Sequence, residues 1–91
     1  MDRLDREKYL EESLVGHKTI CIKPDGTVIV DWIKRIALNI EGNLPVLTIV
    51  FSNSNTKYEY DLEYLKDNLK IIYGNTYAGE RRDVRRILEE D

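Results

Sequence analysis

The chain has 91 residues, 42% hydrophobic and 34% charged, with a net charge of −3; that is apolar material for one small domain spanning 1–91 and a modest core. No apolar run approaches the roughly 18 residues of a membrane-spanning helix, and the acidic, polar opening MDRLDREKYLEES argues against a secretory signal. Cys21 is the single cysteine, which excludes an internal disulfide and a multi-cysteine zinc site. By elimination the expected compartment is the cytoplasm.

Residues 1–16 carry three bases and five acids, residues 17–73 seven of each, and residues 74–91 four and five. No segment is strongly basic, so the broad electrostatic footprint of a duplex-DNA binder is missing. The abundance of Ile, Lys, Asn, Tyr, Asp and Glu suggests an AT-rich coding source of the kind found in low-GC bacteria and their phages.

DRLDREKYLEESLVG predicts a first helix, within 1–16. Leu4, Tyr9, Leu10 and Leu14 form its apolar side, acids crowd the first turns, and Gly16 stops it. The period then changes. HKTICIKPDGTVIVDW holds two β-branched runs around Pro24-Asp25-Gly26, a turn chemistry that closes a hairpin.

From Val28 to Ile40 the even positions read Val28, Val30, Trp32, Lys34, Ile36, Leu38 and Ile40, while the odd ones include Asp31, Arg35, Asn39 and Glu41. Such alternation predicts one long strand, twisted or bent to fit a small domain. Trp32, Ile36, Leu38 and Ile40 are then expected in the core, with Asp31, Arg35 and Asn39 outward. A helical reading fits Ile33, Ile36, Ala37 and Ile40, but β-branched enrichment favours the strand.

Glu41-Gly42-Asn43 is the next turn, PVLTIVFS a buried strand and SNSN a polar loop. In TKYEYDL, Tyr58, Tyr60 and Leu62 alternate with Glu59 and Asp61, which predicts half-buried tyrosines with their hydroxyls at the rim. DLEYLKDNL reads as a short helix or 3₁₀ turn capped by Asp61, KIIY as a last strand, and 74–91 as a junction followed by a terminal helix. The β core is thus expected over 17–73. This order predicts an α+β fold, mainly antiparallel β: an SH3-like or Sm-like partly closed barrel of four or five strands, with a long bent second strand and helices at both ends. The likeness is one of architecture, and no family motif carries it.

Catalysis is not expected. His17 stands alone at a strand entrance, and in a strand it lies about 13 Å from Cys21, whose isoleucine neighbours make it a small hydrophobe. No carboxylate spacing marks an acid–base pair, and no nucleotide-cradling glycine motif occurs. Neither cofactor nor metal is expected.

Binding is the alternative. YAGERRDVRRILEED places Arg81, Arg82, Arg85 and Arg86 within about 140° of a helix, separate from an arc of about 100° that holds Val84, Ile87 and Leu88. Arg85 with Glu89 and Arg86 with Glu90 make i,i+4 pairs, but in the weaker base-first order, and the bases sit at the wrong end of the macrodipole. Either packing of Val84, Ile87 and Leu88 or an acidic partner must then hold the helix. The arginines read first as a solvated face, next as a contact with an acidic protein surface, with Tyr73 and Tyr77 flanking the junction as further contacts, and last as a grip on nucleic acid. The expectation is a non-enzymatic protein that binds, and inhibits or redirects, a protein partner, as many phage and mobile-element proteins do. The rivals are a nucleic-acid-binding barrel, with Lys34 and Arg35 added to the arginines, and a nucleotide or small-anion binder formed by a homo-oligomer around Tyr77.

Overall fold

The computed structural model describes residues 2–54, 56–74 and 84–89. Helix α1 (Arg3–Leu14) begins where the Asp2 carboxylate accepts the Asp5 amide at 2.9 Å, satisfying one of the first-turn donors. It ends at extended Val15, and Gly16 turns the chain at φ +86°, a conformation costly for any residue with a Cβ. Leu10 and Leu14 are buried and Tyr9 half-buried. Leu4 is not on the packed side; it is 63% exposed. Arg3 and Glu7 meet β2 instead, and Leu4 lies about 100° around the helix from Arg3.

Five antiparallel strands follow: β1 (His17–Ile22), β2 (Val28–Glu41), β3 (Leu44–Phe51), β4 (Lys57–Asp61) and β5 (Leu69–Gly74). Their order in the sheet is β4-β3-β2-β1-β5. Asp25 closes the β1–β2 turn by accepting the Thr27 amide at 2.9 Å, which holds its carboxyl below the usual range. Helix α2 (Leu62–Asn68) is capped as expected, by the Asp61 carboxylate on the Tyr64 amide at 2.7 Å. Helix α3 (Val84–Glu89) packs through Val84, Ile87 and Leu88.

The expected long strand is present, with a break in its alternation. The β2–β3 register pairs Ile33 with Phe51 and then Arg35 with Val50, so Lys34 is an extra residue. A bulge of one residue exchanges the faces of everything beyond it. Before Lys34 the odd positions are inward: Asp31 is 4% and Ile33 1% exposed. After it the even positions are inward, with Ile36 and Leu38 buried.

This corrects three expectations, at Trp32, Asp31 and Ile40. Val28 and Val30 are exposed, and Trp32 is only half-buried, on the outer face. Asp31 is inside, where its carboxylate accepts the Trp32 amide at 2.7 Å, the Asn53 amide at 3.1 Å and Asn53 Nδ2 at 2.8 Å. Three donors offset the desolvation of a buried carboxylate. Ile40 is on the inner face but 51% exposed, because it stands beside the Gly42 turn, past the end of the core.

Beyond the bulge β2 leaves β1, and α1 covers the exposed backbone. Glu7 accepts the Leu38 amide at 2.7 Å, and Arg3 donates to the Leu38 carbonyl at 2.9 Å. The two side chains replace a neighbouring strand at that residue.

The sheet is open, with β4 and β5 at its two edges, so full barrel closure is not reached. Helix α2 bridges part of the gap: the Tyr64 hydroxyl donates to the Ile22 carbonyl at the end of β1. The three described helices contribute to one core with the inner sheet face, around Leu10, Leu38, Leu47, Phe51, Leu65 and Leu88. No described helix is long and apolar enough to cross a membrane.

Candidate functional site

The helices cover the inner sheet face, so the outer face of β1 and β2 is where the sequence leaves apolar side chains in water. Inward positions on β1 are His17, Thr19 and Cys21, all buried; Lys18, Ile20 and Ile22 point the other way. Register places Lys18 opposite Trp32, Ile20 opposite Val30 and Ile22 opposite Val28. Directly opposed side chains share a face about 5 Å apart. Ile20, Ile22, Val28, Val30 and Trp32 therefore form one apolar strip, with Val28 54% and Val30 52% exposed.

Bases edge this strip. Lys70 on β5 is opposite Ile20, and Lys18 sits between Trp32 and Tyr73 in the strand order. Past the bulge, Arg35 and Lys57 flank Val50 on the outer face. Of the outer-face acids, Glu59, opposite Thr48, is two residues from Lys57 on the same strand face, and Glu41, opposite Leu44, lies at the far end of β2.

The terminal arginines divide differently. Arg81, Arg82 and Tyr77 lie outside the described residues. Arg85 is engaged within the fold: its guanidinium is 2.6 Å from Asp67 on α2 and 3.2 Å from Glu89. These are exposed pairs, each of about 0–1 kcal/mol; the first links α3 to α2 and the second lies within α3. Arg86 is exposed on α3. Tyr73 is in β5, its backbone paired with Lys18. The structure thus does not gather Arg85, Arg86 and the outer strip into one described surface.

Tyr58, Tyr60 and Tyr64 form a half-buried aromatic row beside the core. Tyr58 meets Phe51 edge-on with centroids 5.6 Å apart, Tyr60 and Tyr64 stack at 5.1 Å, and Lys23 Nζ is 5.5 Å from the Tyr58 ring centre. Burial, with the neighbouring Cys21, Tyr64 and Tyr58, pushes the Tyr60 hydroxyl up to about 12. Burial pushes the Cys21 thiol up to about 11, so the nucleophilic thiolate is scarce at neutral pH. His17 is buried, and its Nδ1 has no hydrogen-bond partner among the described residues. No group of three or more His, Cys, Asp or Glu among the described residues could hold a metal ion.

Sequence reasoning missed the outer strip although a signal was present. ICI and VIVDWI are apolar at nearly every position, and a hairpin that faced water on one side would alternate cleanly. Apolar residues on both faces imply two covered faces; the described helices cover one. Comparisons with known protein families, with curated proteins and with solved structures return no match.

Proposed function

We propose that this chain is a small interaction protein that binds, and thereby inhibits or redirects, a macromolecular partner through the outer face of β1 and β2. The observation that carries this reading is the pair Val28 and Val30, each more than half exposed, at the turn end and the middle of an apolar strip. Side chains of this kind gain about 1.5–3 kcal/mol when fully buried, and contiguous apolar surface on a folded chain marks an interaction site. Arg86, exposed on α3, together with Arg81, Arg82, Tyr73 and Tyr77, remains a second contact region on sequence grounds.

The test is capture from a cell lysate by the immobilised chain, with and without nuclease, beside a Val28→Ser/Val30→Lys variant. Partners retained after nuclease and lost with the variant are the expected result. Equal capture by parent and variant, with unchanged thermal melts, would rule out this face. Capture that disappears with nuclease would point to the nucleic-acid reading, in which the bases grip phosphates.

A further inference from the structure

We infer that the partner presents to this face an acidic protein segment carrying bulky apolar side chains. The inference rests on the proposed use of the outer face and adds the chemistry of its occupant. The strip alone asks only for apolar matter; the charges around it narrow the choice. Lys18 and Lys70 flank the strip and Arg35 follows it past the bulge, and none of the three forms an ion pair with an acid among the described residues; Lys57, farther off on β4, shares its strand face with Glu59. On a chain of net charge −3 this is a local reversal of sign. Asp25, at the hairpin turn beyond the Ile22–Val28 pair, is held ionised by the Thr27 amide, so the basic character belongs to the Lys18–Trp32 end of the strip.

Charge complementarity sets which partner docks and how fast it arrives. A second copy of the chain, packed face to face about Val28 and Val30, would bring bases against bases as well as valine against valine. Such like-charge contact penalises self-association. A nucleic acid would satisfy the bases through its phosphates but leave the aliphatic side chains of Ile20, Ile22, Val28 and Val30 without stacking or hydrogen-bonding partners. Single-strand binders set rows of aromatic rings in such a groove; among the described side chains the strip offers one ring, half-buried Trp32. An acidic segment with aliphatic or aromatic anchors meets both demands at once. Five positions on each strand, from the Ile22–Val28 pair to the Lys18–Trp32 pair, span about 13 Å. That length matches two or so turns of a helix, or a short extended stretch.

A displayed library of random peptides, selected against the full chain, decides the matter. Enriched peptides should be net acidic and carry Leu, Ile, Phe or Trp, and should shift the fluorescence of Trp32, the only tryptophan. The Lys18→Glu/Lys70→Glu variant, with its thermal melt unchanged, should lose at least about tenfold in affinity for them, which is about 1.4 kcal/mol. The same variant should select basic peptides instead. Enrichment of neutral or basic peptides on the parent chain, or of none, overturns the inference. So does unchanged affinity after charge reversal, an equal response of Trp32 to oligothymidylate, or a concentration-dependent dimer in sedimentation. The two readings fail separately. If Val28→Ser/Val30→Lys abolishes lysate capture while Lys18→Glu/Lys70→Glu leaves it intact, the face is used and its acidic occupant is wrong. If neither variant alters capture, the face itself is wrong.

Discussion

Cys21 and Tyr60 tie the fold to pH through single atoms. Burial raises the thiol from 9.0 to about 11, and the Tyr60 hydroxyl rises from 10.0 to about 12. In both cases the fold favours the neutral form more than the unfolded chain does. Their contribution is therefore complete below about pH 9 and lost as pH climbs through the folded values. Urea midpoints should hold steady toward pH 9 and fall beyond it, and Cys21→Ala should flatten the first part of that fall. A midpoint independent of pH up to about 11 would show that neither group is desolvated. The burial of Cys21 was legible from its isoleucine neighbours. That of Asp31 was not: a carboxylate in an alternating strand reads as solvated. What admits it to the interior is Asn53, which is 22 positions away and supplies two of its three donors.

Strand β2 shows how much rests on one inserted residue. Its existence and extent follow from β-branched alternation, and the structure gives it as Val28–Glu41. The face exchange at Lys34 does not follow, because a bulge is set by how β3 pairs with β2, and no local propensity marks it. The consequence is measurable at four positions. Leu38→Ala, at a fully buried site, should cost about 2–5 kcal/mol, whereas Asn39→Ala at an exposed one should stay within about 0.5 kcal/mol. On the other side of the bulge the parity inverts: Ile33→Ala should be as damaging as Leu38→Ala, while Val30→Lys should be nearly silent in a urea melt. Uninterrupted alternation predicts the opposite order for Ile33 and Val30. The candidate surface depends on this exchange, since it is the bulge that leaves Val28, Val30 and Trp32 facing outward. The helix caps were easier to read. Asp61 is a side chain acting on an amide three residues away, and such short-range chemistry is written locally.

At the scale of the molecule, α1 and α3 meet over one side of the sheet. Arg6 on α1 donates to the Leu88 carbonyl on α3 at 3.0 Å, and Leu10, Leu65 and Leu88 share a core with Leu38 and Phe51. The terminal helix is short, at six described residues, and a helix of that length has no stability of its own in water. Packing of Val84, Ile87 and Leu88 must hold it, and the same packing makes it part of the core. If so, α3 does not fray separately from the sheet, and damage to it is felt across the molecule. Ile87→Ala, 1% exposed in the parent, should cost about 2–5 kcal/mol. The loss should be visible through Trp32, which reports from the opposite sheet face. One urea transition is expected, with its midpoint lowered and its slope unchanged, because the same surface is exposed on unfolding. Circular dichroism should follow the same curve. If instead the Trp32 transition stayed where it was while helical signal was lost earlier, α3 would be an appendage. Its arginines would then be presented on a segment that opens independently of the core.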